Sequence, residues 1–296
     1  MRVGVIGVGA MGQGVARTLL RKGFPVVVRD LVAEREDEAV AAGATRAATA
    51  PELAAQVDVV ITLVVDAEQT HGVLLEELRG LDRADPPVVM MCSTIAPVDT
   101  EEIAARLVER GIEMLDAPIS GGPAGAHAGT LTVMASGSDA AFERCVPVLD
   151  AMAARCFRMS ASAGDGTRMK VVNNMLAAAN LAAGCEAMAM AACMGLDLAQ
   201  AADVVGASSG ASWIFADRMP RALAGDYAPR AAARVLLKDV GLFVHQARIF
   251  GFTAPVAECA REIFHDTVAR GFAEEDDAAV LKRYAEAWRV ELPPSR

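Results

Sequence analysis

Hydrophobic positions in the first half of the chain follow two alternating patterns. Short runs rich in Val and Ile predict β-strands over residues 2–7, 25–29, 57–65, 88–91, 131–135 and 156–159. Between these runs, apolar residues recur every three or four positions and predict helices over residues 13–22, 32–42, 70–78, 100–110 and 139–152. Strands that alternate with helices in this way predict a parallel sheet covered on both faces.

The second half loses the strand pattern. A proline-free stretch rich in Ala, Leu and Met predicts one long helix over about residues 165–194, which at ~1.5 Å per residue is ~40 Å long. Small residues occur on every face of this helix, so we expect it to be buried on all sides. Five further helices are predicted, over residues 199–206, 213–223, 232–249, 253–270 and 276–287. The polar run at 160–165 is the predicted boundary, which gives domains 1–161 and 162–296.

Charge and composition narrow the class of protein. The 296 residues carry a formal net charge of −10, and an acidic surface with scattered Lys and Arg disfavours a nucleic-acid partner. A membrane span is disfavoured because Asn180 and Glu186 interrupt the long apolar stretch. The chain opens on a strand rather than a signal peptide, and its cysteines and histidines lack metal-ligand spacing. We therefore expect a cytoplasmic protein without a metal site.

A glycine-rich turn follows the first predicted strand and leads into a helix. Its sequence is Gly7-Val8-Gly9-Ala10-Met11-Gly12, and the second strand ends at Arg29-Asp30, eighteen residues after Gly12. In dinucleotide-binding folds such glycines allow a tight turn, close approach to a pyrophosphate and close helix packing, while the acidic residue binds ribose hydroxyls. The order of these elements predicts an α/β fold with a Rossmann-type domain, followed by an all-α domain joined through the long inter-domain helix. Asp30 favours NAD, and Arg29 leaves NADP possible.

Other candidates lie where the parallel strands end, since ligands of such sheets bind beyond the carboxyl ends of the strands. Val64, Val65 and Thr94 are expected beside the glycine turn, although Thr94 could instead cap a helix ahead of Pro97. The run Ser120-Gly121-Gly122 offers a hydroxyl and unshielded N–H groups that could hold a carboxylate; a plain connecting loop is the alternative.

Three polar residues stand near the start of the long helix. Lys170 and Asn174 are four residues apart, so they project from one helix face with Asn173 beside them. Lys170 could be an acid/base group, because partial burial makes a lysine easier to deprotonate. Alternatively, it could be a solvated lysine of an exposed turn. Further along, Lys238 could be a solvated lysine and Trp213 a core residue.

Four motifs together resemble the β-hydroxyacid dehydrogenase family over nearly the whole chain. These are the glycine turn, Asp116-Ala117-Pro118-Ile119-Ser120-Gly121-Gly122, the segment from Gly164-Asp165-Gly166 to Asn173-Asn174, and Lys238-Asp239. The resemblance implies an NAD(P)-dependent oxidoreductase that moves a hydride between nicotinamide and a small 3-hydroxy acid or its semialdehyde. It also implies a homodimer or homotetramer. One departure is Leu63-Val64-Val65-Asp66, where the family commonly has a proline.

The resemblance also implies roles for individual residues. Lys170 would be the catalytic acid/base. The expected substrate-binding residues are Ser120, Gly121, Gly122, Asn174 and Trp213. The expected cofactor-binding residues are Gly7, Gly9, Ala10, Met11, Gly12, Arg29, Asp30, Val64, Val65, Thr94 and Lys238. The alternatives are a non-catalytic dinucleotide-binding protein, which the presence of Lys170 disfavours, and an imine reductase or a decarboxylating sugar-acid enzyme.

Overall fold

The protein was analysed as a computed structural model that describes residues 1–81 and 83–289. The chain forms two compact units, Met1–Lys170 and Val171–Arg296. The first contains the sheet, whose described strands are β1 (Val3–Ile6), β2 (Val26–Arg29), β3 (Thr45–Arg46), β4 (Val59–Thr62), β5 (Val88–Met91), β6 (Met114–Asp116), β7 (Ile119–Ser120), β8 (Leu131–Ser136) and β9 (Ala153–Ser160).

The strand order β3-β2-β1-β4-β5-β6 places β1 at the centre of a parallel sheet. This order is that of dinucleotide-binding folds, and it brings the ends of β1, β2, β4 and β5 to one edge. Beyond β6 the sheet is mixed, because β8 runs antiparallel to both β6 and β7. The expected parallel sheet is therefore found in its first six strands, while the short strands β3, β6 and β7 were not predicted.

Helices of this unit pack on the sheet and form two hydrophobic clusters with it, one on each face. The described α-helices are α1 (Ala10–Arg21), α2 (Ala33–Ala41), α3 (Ala50–Ala54), α4 (Ala67–His71), α5 (Pro97–Val108), α6 (Gly122–Ala128) and α7 (Asp139–Met152). A π-helical turn (Gly72–Glu76) and a 3-10 turn (Glu77–Gly80) extend α4. The segment expected to be a loop after Ser120 is instead helix α6, because Gly121 and Pro123 begin a turn that Gly129 ends.

The second unit is built from helices and connecting loops in its described residues, with one isolated β-bridge between Ala232 and Asp276. Helix α8 (Asp165–Cys193) enters it from the first unit and is followed by α9 (Leu198–Gly206), α10 (Trp213–Leu223), α11 (Ala233–Ile249), α12 (Pro255–Thr267) and α13 (Val280–Trp288). One face of α8 lies in the core of this unit, with Leu181, Cys185 and Met188 fully or almost fully buried. The all-α prediction is confirmed for this part of the chain.

Burial of α8 on all sides was predicted, and that prediction is wrong. The residues opposite the core face are exposed; Leu176 and Met190, for instance, are each 53% accessible. By length and composition alone α8 could cross a membrane, and 39% of the apolar part of this helix is buried in the structure. The buried positions recur every three or four residues, as in a helix that packs one face on a core.

Candidate active site

The glycine turn joins β1 to α1, and glycine occupies its positions for different reasons. A methyl group on Gly12 would lie 2.0 Å from the backbone oxygen of Gly7, so helix packing excludes any side chain there. Gly9 has an ordinary backbone conformation, and a methyl group on it would meet only Nη1 of Arg35, at 3.9 Å. Internal packing therefore does not require glycine at position 9. A ligand that approaches the backbone closely does require it, as expected for a dinucleotide pyrophosphate.

Asp30, at the end of β2, is buried and links β2 to the glycine turn. Its Oδ2 accepts a hydrogen bond from the N–H of Val8 at 2.8 Å, and its Oδ1 accepts one from the N–H of Val32 at 2.9 Å. A carboxylate has about four acceptor positions, so Asp30 retains capacity for ribose hydroxyl groups. Arg29 is engaged elsewhere: its guanidinium binds Glu36 at 3.2 Å and the carbonyl of Asp30.

A hydrogen bond of Ser93, a residue to which the sequence analysis gave no role, links the ends of β4 and β5. Ser93 is buried, and its Oγ accepts a hydrogen bond from the N–H of Val64 at 3.0 Å. Val65 is exposed, and its N–H donates to the side-chain oxygen of Gln69. The N-cap of α5 is Ala96, so the capping role considered for Thr94 is not filled by that residue. The structure thus places Val64 and Thr94 after neighbouring strands, at the edge where the glycine turn also lies.

Ser120 ends β7, Gly121 follows it, and Gly122 begins α6. Ser120 pairs with Thr132 of β8, which fixes the start of the segment. Gly121 has φ +122° and Gly122 has φ +63°, values that strongly favour glycine. The backbone therefore turns sharply and carries no side chains, while Ser120 and both glycines are partly accessible. Such a turn presents its N–H groups to an anion.

Lys170 lies in the second turn of α8 and is 8% exposed. The start of this helix is held by Asp116, at the end of β6. Oδ2 of Asp116 accepts hydrogen bonds from the N–H groups of Gly164 and Thr167 at 2.9 Å, and Oδ1 accepts one from Oγ1 of Thr167 at 2.7 Å. A carboxylate bound to the free N–H groups of a helix N-terminus caps it and opposes its dipole. Thr167 is one turn before Lys170, so this anchor fixes the position of the lysine backbone.

Close packing further restricts this helix start. A methyl group on Gly166 would lie 2.3 Å from the carbonyl oxygen of Met134, so α8 must contact β8 through a glycine. Ser136 adds a fourth hydrogen bond to Asp116, at 3.0 Å, and accepts one from the N–H of Gly166. Burial raises the pKa of Asp116, and the hydrogen bonds from Thr167, Gly164 and Ser136 oppose that rise. The Gly164-Asp165-Gly166 motif is thus explained by the docking of α8 on the sheet.

Within the second unit, Asn174 and Lys238 share a partner. Nδ2 of Asn174 donates to Oδ2 of the buried Asp239 at 2.7 Å, and Nζ of Lys238 lies 3.0 Å from Oδ1 of the same carboxylate. Asn173 in turn donates to the side-chain oxygen of Asn174 at 3.0 Å. Asp239 therefore orients two predicted site residues, a role that sequence reasoning did not assign, although the Lys238-Asp239 pair was noted.

Trp213 is the first residue of α10, whose N-cap is Ser212. The indole is 62% exposed, whereas the following Ile214 and Phe215 are buried. Trp213 therefore does not belong to the core described for this unit, and a large exposed aromatic ring fits a binding role better. Its assignment to the substrate stays a prediction.

Comparison with known families matches both parts of the chain. Residues 2–160 match the NAD-binding domain of 6-phosphogluconate dehydrogenase, and residues 164–284 match the NAD-binding domain of NADP-dependent 3-hydroxyisobutyrate dehydrogenase. These matches agree with the fit of the glycine turn and Asp30 to a dinucleotide. The chain binds NAD or NADP.

Relatives of known activity match along almost the whole chain. An L-threonate dehydrogenase of Cupriavidus necator is 40% identical, covering 98% of this chain and 97% of its own. An NAD-dependent L-serine dehydrogenase of Pseudomonas aeruginosa is 35% identical, covering 96% and 97%. The crystal structure of a 3-hydroxyisobutyrate dehydrogenase from Salmonella typhimurium has a TM-score of 0.90 and 42% identity, covering 96% and 99%.

These relatives decide between the classes of function that the sequence left open. The similar proteins of known activity are dehydrogenases, which disfavours a non-catalytic binding protein, and imine reductases are only distant structural neighbours. The chain belongs to the β-hydroxyacid dehydrogenase family and is an NAD(P)-dependent hydroxyacid dehydrogenase.

Proposed function

We propose that the substrate is a three- or four-carbon 3-hydroxy acid or its semialdehyde, and that Lys170 is the catalytic acid/base. The observation that carries this proposal is the placement of Lys170: a lysine only 8% exposed, on a helix whose start is fixed by Asp116 and by the close contact at Gly166. A solvated surface lysine needs neither burial nor an anchored backbone. Bound nicotinamide supplies the hydride acceptor, or the donor in reverse.

Lys170 carries the proton part of the reaction. As the hydride leaves the carbon of an alcohol, the hydroxyl proton must be removed, and the Nζ of Lys170 accepts it; in the reduction, Nζ returns a proton to the carbonyl oxygen. Asn174 follows Lys170 by one helical turn, and its bond to Asp239 fixes the direction of its carboxamide. We assign to Asn174 the orientation of the reacting hydroxyl, and to Trp213 a contact with the substrate.

Ser120, Gly121 and Gly122 are proposed to hold the substrate carboxylate. Their support is the turn itself, in which Gly121 and Gly122 have positive φ angles and all three residues are partly accessible. A matched pair of compounds tests this role, namely 3-hydroxyisobutyrate and its methyl ester. We expect kcat/KM to fall at least about tenfold for the ester, equivalent to ~1.4 kcal/mol, because charge-assisted hydrogen bonds are lost. Similar kcat/KM values for the two compounds would contradict the assignment of the carboxylate to this turn.

L-Threonate is the first candidate within this substrate class. Support comes from the similarity of the chain to L-threonate dehydrogenases at 40% identity. L-Threonate, L-serine, 3-hydroxyisobutyrate and tartronate semialdehyde should be compared by kcat/KM from NAD(P)H absorbance, with product identification by mass spectrometry. A preference of at least tenfold for L-threonate is expected. Turnover of none of these acids would contradict the proposed substrate class.

We further propose NAD as the preferred cofactor. Asp30 places a carboxylate where the ribose hydroxyls are expected, and Arg29 is engaged with Glu36, so a 2′-phosphate would meet a negative charge without help from Arg29. The remaining cofactor contacts are assigned as in the sequence prediction, namely Gly7, Gly9, Ala10, Met11, Gly12, Val64, Val65, Thr94 and Lys238. A higher kcat/KM with NADP than with NAD would contradict the preference.

Assembly, location and domain limits complete the proposal. We infer a homodimer or homotetramer, because the outer face of α8 exposes Leu176, Met190 and neighbouring apolar residues to solvent in a single chain. A molar mass of one chain from light scattering at micromolar concentration would contradict this inference. We also propose a cytoplasmic location, with residues 1–161 as the cofactor domain and residues 162–296 as the substrate and assembly domain.

A further inference from the structure

The surface beside the glycine turn carries an arginine that no motif singled out. Arg35 lies in the first turn of α2, and its side chain is 52% exposed. Its Nη1 lies 3.7 Å from Oδ1 of Asp30 and 3.9 Å from the position that a methyl group on Gly9 would occupy. The guanidinium therefore stands between the acidic residue at the ribose position and the glycine that faces the pyrophosphate.

The backbone of Arg35 is fixed while its side chain is not. The buried Gln13 of α1 donates a hydrogen bond from Nε2 to the carbonyl oxygen of Arg35, at 2.5 Å. By contrast, the ion pair with Asp30 is longer than a hydrogen bond and part-exposed, and such pairs contribute only ~0–1 kcal/mol. The guanidinium can therefore turn from Asp30 to another anion at little cost, without movement of α2.

The other arginines of this region are already engaged. Arg29 binds Glu36 and the carbonyl of Asp30, and Arg46 binds Glu36 at 3.1 Å and also contacts Asp37. Glu36 is buried, so removing either arginine would leave a poorly paired buried charge, which is costly. Arg35 alone among these three pairs with a carboxylate that is also held by two backbone N–H groups.

We propose that Arg35 determines how well the enzyme accepts NADP, by leaving Asp30 and binding the 2′-phosphate. With NAD, Asp30 accepts the ribose hydroxyls and Arg35 remains its partner. With NADP, the guanidinium pairs with the phosphate and offsets the repulsion from Asp30. Arg35 is thus the specificity residue for the cofactor. The proposal rests on the proposed position of the adenosine ribose at Asp30.

Binding of NADH and NADPH tests this role, because the two differ only by the 2′-phosphate and their fluorescence reports binding without turnover. We expect Arg35→Gln to raise the Kd of NADPH about tenfold, equivalent to ~1.4 kcal/mol, and to change the Kd of NADH by less than threefold. Arg35→Lys, which keeps the charge, should retain part of the affinity for NADPH. Arg106→Gln, which removes an exposed arginine of α5, is the control and should leave both Kd values unchanged.

The outcome separates this proposal from the proposed reaction, since no substrate is present. Equal effects of Arg35→Gln on NADH and NADPH would overturn the role of Arg35, whatever acid the enzyme oxidises. A selective loss of NADPH affinity in Arg29→Gln but not in Arg35→Gln would also overturn it and assign the role to Arg29. Melting temperatures of all variants confirm folding; since Arg35 is exposed, Arg35→Gln should melt within a few degrees of the wild type.

Discussion

Removal of the Asp116 carboxylate is expected to loosen the helix that carries Lys170. The carboxylate accepts four hydrogen bonds, from the N–H groups of Gly164 and Thr167 and from the hydroxyls of Thr167 and Ser136. In Asp116→Ala these buried donors lose their acceptor, and each unsatisfied group costs ~1–3 kcal/mol. Because the hydroxyls can rotate toward other acceptors, we expect a total loss of about 4 kcal/mol, which is large for a single substitution.

Asp116→Asn separates charge from hydrogen bonding. The amide oxygen can replace Oδ2, which serves three of the four donors, while the hydroxyl of Thr167 can rotate to accept from the new amide. What is lost is mainly the negative charge at the N-terminus of α8, worth up to ~2 kcal/mol in a buried position. We therefore expect Asp116→Asn to be destabilised by about 1–2 kcal/mol, at most half the effect of Asp116→Ala.

Urea unfolding at constant m-value measures both effects, and Asp165→Asn is the matched control. Asp165 lies in the same first turn of α8 but is 39% exposed, so its substitution should cost less than about 0.5 kcal/mol. As a positioning residue, Asp116 should also affect turnover: kcat should fall in Asp116→Asn while the Kd of NADH stays within twofold. An Asp116→Ala variant no less stable than Asp165→Asn would refute the anchor.

Three further predictions concern packing, orientation and pH. Gly166→Ala should lose about 2–3 kcal/mol in urea unfolding, since the new methyl group would lie 2.3 Å from a backbone oxygen, whereas Gly241→Ala, which meets nothing within 4 Å, should not be destabilised; equal stability would disprove the close contact. Asp239→Ala should lower kcat/KM about tenfold, because Asn174 and Lys238 lose their common partner; an unchanged value would exclude an orienting role. Burial raises the pKa of Asp277 to about 7 against the opposing charge of Arg218, so the folded protein binds a proton that the unfolded chain releases above pH 4. The stability of the wild type relative to Asp277→Asn should therefore fall as the pH rises from about 4 to about 7, by at most ~1.4 kcal/mol per pH unit, and a rise over this range would contradict the assigned direction.

Local sequence patterns predicted the elements whose own periodicity is strong. The structure has β5 at Val88–Met91, α7 at Asp139–Met152 and α10 at Trp213–Leu223, the bounds that the sequence indicates. Strands of two residues, such as β3 and β7, are too short to show a period and are formed only by pairing with neighbours. The exposed face of α8 was missed because alanine and methionine occur on buried and exposed faces alike.

The sequence indicated candidate site residues where a motif carries them, and it did not indicate contacts between residues that are distant in the chain. Gly9 and Asp30 belong to one short strand–turn–helix–strand unit, whose spacing is typical of dinucleotide binding. Asp116 is separated from Gly164 and Thr167 by 48 and 51 residues, and Asp239 from Asn174 by 65, so their hydrogen bonds depend on the folded chain. Arg35 lacks any motif, and only its position beside Asp30 and Gly9 shows its relevance.

The role of Lys170 is the central claim, and turnover of Lys170→Ala tests it most directly. With saturating NAD and the preferred acid, kcat should fall by a factor on the order of 10²–10⁴, the range for loss of one general acid/base. The Kd of NADH should stay within threefold, and Lys22→Ala, which removes an exposed lysine at the end of α1, should leave kcat unchanged. A Lys170→Ala enzyme that keeps more than about a tenth of wild-type kcat would contradict the assignment.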